Sequence, residues 1–531
     1  MKIVVAVLLG VGAAIAARNV SAQSPSAPEQ EGPFGSLEIR GVTVIDGSGA
    51  PAFGPVNIYI KGNRIERVVS VDAIARERRE EEHAGAKEKE TKPPDRVIEG
   101  QGMYVMPGLV DVHIHINQSK DVPAEYIYKL LLGHGVTTIR AFNVGRDDPK
   151  AMVGEKKKIA ANQIIAPRMY VYPFWGRDND PRDSHADGAR QIVDEWHALG
   201  VDGIKIIGKP GLWPDVFHAI ADEARKNGMG VAVHIAQDGV YPMNAVNVAG
   251  EGASTIEHHY GYPESSFTTQ TIQNLPPSYN YSNEPDRFLE TGRAWLQADK
   301  ERLHGEVIQS LLATMRKTGF IMVPTFSIYE ANRDVTRAAN LPWHSTFTLP
   351  AVMDTFLPNP AHHASYFYEW TSNKETDWAR AYRRWMEFVN DYKNQGGVVA
   401  VGSDTGFLFS LWGFGTVREL EMLQEAGFSP HEALHAATEN GGKVVKNPEL
   451  GLLRAGYLAD LLVLTENPLA DVKVFYGSGV TRVSADRKEV HEQCVKYTIR
   501  DGVIFDAQAL LGDVRAMVGK AKQPQPTRNK P

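Results

Sequence analysis

The chain has 531 residues, enough for one large barrel with additions or for two to three domains. Its hydrophobic fraction of 43% and charged fraction of 23% fit an ordinary globular protein, and a net charge of −7 argues against a nucleic-acid partner. The one cysteine, Cys494, excludes an intrachain disulfide, so the fold must hold through its core alone.

Residues 1–22 read as a secretory signal peptide. Lys2 gives a positive start, Ile3 to Ala17 is apolar, and Val20-Ser21-Ala22 ends in small residues. The apolar run is short for a membrane span, and no cysteine near residue 22 offers a lipid anchor. The expected location is periplasmic or secreted, with no membrane association once the signal is removed. Residues 23–35, rich in Ser, Pro, Gln and Glu, read as a disordered linker. From Leu37 to Val69 apolar and polar residues alternate, with turns at Asp46-Gly47 and Lys61-Gly62-Asn63, as in a small antiparallel β segment. The charge run from Ala73 to Arg96 interleaves both signs and reads as a solvated insertion.

From about residue 103 the pattern becomes strand, helix, strand, helix. Strands are predicted at 103–115, 137–145, 168–173, 202–208, 230–236, 255–259, 320–326 and 398–404, with helices such as 187–200, 214–227, 305–318 and 376–395 between them. The predicted fold class is α/β, a (β/α)8 TIM barrel over 103–445. Short strands return after it, so segments 36–102 and 446–512 are expected to build one flanking β-sandwich, followed by a disordered tail, 513–531. Two connections, 260–304 and 327–375, are unusually long. The second carries Trp343, Phe347, Phe356, Tyr366, Phe367, Tyr368 and Trp370, which argues for a packed lid or pocket wall, or a contact with another subunit.

Chemistry concentrates at the predicted strand ends. His113 and His115 alternate onto one strand face, about 6–7 Å apart, where two imidazoles can grip one metal ion. Lys205 sits inside the apolar run Ile204 to Ile207, His234 ends the next strand, His258 and His259 the one after, and Asp404 the last. Each alone has a plain structural explanation. Together, in order along the strands of one barrel, they read as a metal site, because charged groups at the C-terminal ends of barrel strands face the catalytic mouth. Only one of the adjacent pair His258 and His259 can point inward.

The segments "MPGLVDVHIH", "GVTTIR", "DGIKIIG", "VAVHIA", "TIEHH", "VPTF", "VGSDTG", "AGFSPHEALHAAT" and "GLLRAGYLADLLVL" resemble the amidohydrolase superfamily, in its prolidase and imidazolonepropionase-like branch. The resemblance runs from about residue 37 to 505. It implies two divalent ions, usually zinc, bridged by Lys205 carboxylated on its side-chain nitrogen. His113, His115 and Asp404 would complete one site, and His234 and His258 the other. A hydroxide between the ions would attack a carbonyl, with Asp404 moving the proton to the leaving nitrogen. The implied activity is hydrolysis of a non-aromatic carbon–nitrogen bond (amide, peptide or cyclic amide) in a small-molecule substrate. Ester, lactone or phosphotriester hydrolysis on the same metal pair stays open, as does an inactive binding protein of the same fold. Deamination is disfavoured, because Gln237 stands where deaminases of the superfamily carry a glutamate and Lys205 is present. Val417 replaces a histidine found in many relatives, with no assigned ligand affected. Trp175, Arg177, Tyr366 and Trp370 are candidate substrate contacts, and homo-oligomerisation is left open.

Overall fold

The computed structural model describes residues 29–71, 93–116, 119–144, 148–176, 180–207, 214–236, 243–268, 275–280, 282–359 and 366–523. The expected signal peptide, residues 23–28 of the linker, most of the charge run, Arg177 and Gln237 lie outside these residues.

The predicted first barrel strand is two strands. Tyr104–Pro107 pairs with Leu461–Leu464, and after Gly108 the chain enters the parallel strand Leu109–Ile116. A glycine is needed at this junction, since a Cβ on Gly108 would lie 2.1 Å from Thr137 Oγ1. Leu109–Ile116 is buried along its whole length and pairs in parallel with Val136–Val144, which pairs with Arg168–Val171. A second parallel sheet runs Gly203–Ile207, Gly230–His234, Thr255–Glu257, Ile321–Val323. Near-continuous apolar runs are what strands buried on both faces require. Helices connect the strands. Ala186–Leu199, for example, buries Ala189, Ile192, Val193 and Trp196 at helical spacing and stops at Gly200, whose φ of 99° suits only glycine without strain.

Parallel pairing with helical crossovers is the pattern of a TIM-barrel-like α/β fold. It departs from the expectation of eight regular strands. Segment 398–404 forms no strand and is held by the single bridges Met322↔Val399 and Ile114↔Thr405, while Phe174↔Lys205 bridges the two parallel sheets. Backbone hydrogen bonds still stitch this segment to its neighbours on both sides, Ala400 N to Met322 O at 3.0 Å and Val112 N to Val401 O at 2.9 Å.

Both ends of the chain share one β layer. It is a single mixed sheet of nine strands. Ser36–Val44 lies at its branch point, pairing with Phe53–Lys61, Arg96–Glu99 and Tyr104–Pro107, and the C-terminal strands Val495–Arg500 and Val503–Asp506 extend it. The expected sandwich is seen among the described residues as one branched, hydrogen-bonded sheet with its own core of Leu37, Ile39, Val44, Ile58, Leu461 and Ile504, without two separate sheets. Two boundaries shift. Gln30–Glu31, inside the expected linker, pairs with Val503–Asp506. The helix Ala507–Ala521 buries Val514 and Val518, so the expected tail is helical up to Ala521.

Candidate metal centre

The strand ends converge on one point. His113 Nε2 and His115 Nε2 lie 3.2 and 2.9 Å from the same oxygen of Asp404, and the ligand atoms of these three buried residues all lie within 4.8 Å of one another. His258 joins them, its Nδ1 3.7 Å from the other Asp404 oxygen and its ring centroid 4.9 Å from that of His113. The His234 ring is 4.6 Å from that of His258. Lys205 is buried, with Nζ 4.1 Å from the centre of the Phe142 ring and no hydrogen-bond partner. His259 turns away, as alternation requires. It stacks on Tyr260 at 4.2 Å and accepts from the Trp295 indole N–H at 3.2 Å.

Electrostatics match this crowding. Burial pushes the Lys205 amine down to about 8, against the pull of Glu257 and Asp404. Burial lowers His115, and burial together with His234 holds His258 well below the usual imidazole range, so neutral rings with free lone pairs are favoured. Burial alone would raise Asp404, but His113 and His115 outweigh it and keep the carboxylate ionised. Neutral imidazoles beside an ionised carboxylate are the donor set a divalent ion such as zinc takes. The unpartnered Lys205 Nζ is the observation that tests the fit of a second ion. A buried ammonium without an acceptor is costly, and a carbamate at that nitrogen would supply two anionic oxygens for metal.

Several supporting residues escaped the sequence reading. Arg140, fully buried, donates to Val112 O, to Thr255 Oγ1 at 2.9 Å and to Glu257 Oε1 at 2.7 Å. The other Glu257 oxygen lies 2.7 Å from His113 Nδ1. Burial would raise Glu257, yet Arg140, His113 and Lys205 bring it to about 2, so an anion faces Nδ1 and leaves Nε2 free to coordinate. Thr325 Oγ1 lies 2.6 Å from His258 Nδ1, the nitrogen that also approaches Asp404, and so fixes that ring. Asp111 accepts from the backbone N–H groups of His113 and Ser403 and from Thr416 Oγ1, tying the first strand to segment 398–404. His258, Thr325 and Asp404 all have left-handed backbones, with φ of 69°, 55° and 50°. For non-glycine residues that is strain of about 1–3 kcal/mol each, which functional sites tend to store.

The expected substrate contacts divide. Trp175 is buried away from the histidines, its indole donating to Asp183 O at 3.2 Å and its ring packed on Trp196. Its neighbour Phe174 stacks on His115 instead, with centroids 5.9 Å apart, because the chain continues to alternate past the strand end. Tyr366 stacks on Phe288 at 3.8 Å and donates to Asn332 Oδ1 at 3.0 Å. Trp370 stacks on Trp378 and donates to Pro285 O. Both are buried, so the two long connections pack on each other through the helix Glu284–Gln297. Tyr260, next in sequence to the strand-end histidines, lies 4.7 Å from the His234 ring and shares a 2.8 Å hydrogen bond with Tyr329 of the second connection.

The amidohydrolase family model matches residues 104–275 and 379–504, more than half of the chain. The chain belongs to the amidohydrolase family. Among curated proteins, the ochratoxinase of Aspergillus niger is 42% identical over 83 residues, which are 15% of this chain and 16% of that protein. An adenine deaminase of Clostridium perfringens is 47% identical over 47 residues, 9% of this chain and 8% of the deaminase. The chain therefore matches less than a fifth of the length of these curated relatives. The solved structure of the A. niger ochratoxinase superposes with a TM-score of 0.56 at 17% identity, covering 89% of this chain and 96% of that one. A Xaa-Pro dipeptidase with bound methionine gives 0.56 at 18% identity, covering 89% and 100%. At these identities the likeness is one of fold, and it accords with the TIM-barrel-like arrangement of this amidohydrolase.

Proposed function

We propose that this amidohydrolase is a metal-dependent enzyme that hydrolyses a non-aromatic carbon–nitrogen bond (amide, peptide or cyclic amide) in a small molecule. The observation that carries the proposal is the convergence of His113, His115, His258 and Asp404 beside the unpartnered, buried Lys205. In this reading His113, His115 and Asp404 would hold one divalent ion, His234 and His258 would hold a second, and Lys205 would supply a ligand to both. A neutral Lys205 amine adds carbon dioxide, forming an N–C bond and releasing one proton to give the carbamate. When bound, the ions, zinc by preference, activate a water molecule and polarise the scissile carbonyl.

The chain's own residues do the rest. Asp404, held ionised, takes the proton of the attacking water on a carboxylate oxygen and returns it to the departing nitrogen. Glu257 and Thr325 hold the His113 and His258 rings in place through their Nδ1 atoms, which leaves His113 Nε2 facing Asp404. The aromatic wall formed by Tyr260, Tyr329 and the two long connections suits a substrate with an apolar or bulky substituent.

Metal analysis of the purified protein together with a panel of N-acyl amino acids, dipeptides and lactones tests this. About two ions per chain and turnover of an amide are expected. A metal-free protein without turnover would favour a binding role, and turnover of lactones alone would move the assignment to ester chemistry. We also propose export through the segment 1–22, which N-terminal sequencing of secreted or periplasmic protein checks by showing a start near residue 23.

A further inference from the structure

The helix Phe414–Ala426 carries a buried carboxyl group, Glu419, that the mechanism above does not use; burial pushes it up to about 8 against the pull of the Ser327 and Phe326 N–H groups. Glu419 Oε1 accepts the N–H of Phe326 at 2.9 Å, and Oε2 accepts the N–H of Ser327 at 2.7 Å. These two groups are the first in the chain after Thr325, whose hydroxyl meets His258. Thr325 is a β-branched residue held at φ 55°, a conformation its backbone would leave if released. The same helix grips the segment once more, Arg418 donating to both oxygens of Glu330 at 2.9 and 2.7 Å. Tyr382 closes the other side by donating to Phe326 O.

We propose that Glu419 is a positioning residue for the metal centre: its carboxyl group clamps the backbone after Thr325 and so holds the Thr325 hydroxyl against His258. The inference rests on the reading of His258 as a metal ligand. A carboxyl group is suited to the task because each of its two oxygens accepts one of the N–H groups of Phe326 and Ser327 at the start of the turn Phe326–Tyr329. Glutamine has the same shape but offers one accepting oxygen and one NH2, which would confront an N–H and break one arm of the clamp.

The test is a zinc titration of Glu419→Gln, Thr325→Val, Thr325→Ser and the Glu419→Gln/Thr325→Val pair, read as affinity and dissociation rate of each ion. Glu419→Gln and Thr325→Val should each weaken one ion by about 10- to 100-fold, the usual scale for a residue that orients a ligand. Thr325→Ser, which keeps the hydroxyl, should stay near wild type. The double variant should lose little beyond its weaker parent, since both act along one path. Wild-type zinc affinity in either single variant overturns the clamp, as do losses that multiply in the double. Should Glu419→Gln fail to fold, Thr325→Val decides alone. A wild-type protein that binds no second ion overturns the metal reading and the clamp together, whereas two ions in the wild type with an unaffected Thr325→Val overturns the clamp only.

Discussion

In the proposed function Lys205 is the residue on which the chemistry turns. Lys205→Ala should remove at least one ion and nearly all activity, and short carboxylic acids should restore part of the rate by filling the vacated space. Metal content and turnover with and without added acid check this, and full metal with a wild-type rate would refute the bridging role. Asp404→Asn keeps the shape and one oxygen donor but cannot accept a proton. Metal should stay largely bound while kcat falls 10²-fold or more. His113, His115 and Lys205 are polar residues in apolar strands, where alternation fixes their direction; His258 instead follows the end of a strand and Asp404 ends a strandless segment, both with left-handed backbones that alternation does not foresee. Arg140 gives the same signal in the run Val136 to Phe142 and could have been found by the same rule. Thr325 and Glu419 could not. Their partners lie 67 and 93 residues away, and nothing local marks a threonine or a helical glutamate as special.

At the scale of elements, the parallel strands follow the sequence expectation to within a few residues, and the helices Ala186–Leu199 and Pro214–Lys226 begin and end within one residue of it. The exceptions have physical causes. Gly108 splits one apolar run between two sheets, because Thr137 leaves no room for a side chain there. Segment 398–404 is apolar enough for a strand but is held by the Ser403 N–H donating to Asp111 and by backbone bonds to its neighbours in place of a regular ladder. The long connections form packed walls in place of open loops. Tyr366→Ala and Trp370→Ala should therefore change KM or substrate preference with metal content intact, at a stability cost of about 3–5 kcal/mol for an aromatic residue truncated in a core. Kinetics across a substrate panel, alongside Tm and metal analysis, check this. Unchanged kcat/KM on every substrate with a dissociated oligomer would instead make the segment an interface.

The whole molecule carries histidines that fold uncharged. Burial lowers both His134 and His344 from the usual imidazole value to about 4. Between pH 6.5 and 4 the unfolded chain holds these protons and the folded chain does not. Their contribution to stability is complete above pH 6.5 and is lost as the pH falls through that window to about 4. Tm should drop across it, and His344→Gln should make the slope shallower by one proton's share, while an unchanged slope would show that His344 titrates alike in both states. The β layer built from the two ends of the chain has a different kind of consequence. Asp506 N donates to Glu29 O at 3.1 Å, and Val503–Asp506 covers the edge that Gln30–Glu31 needs. On the ribosome Gln30–Glu31 has no strand partner until Val503–Asp506 has been made, whereas Ser36–Val44 and Phe53–Lys61 can pair at once. A chain cut short before Val503 would leave that sheet edge open to proteases and chaperones.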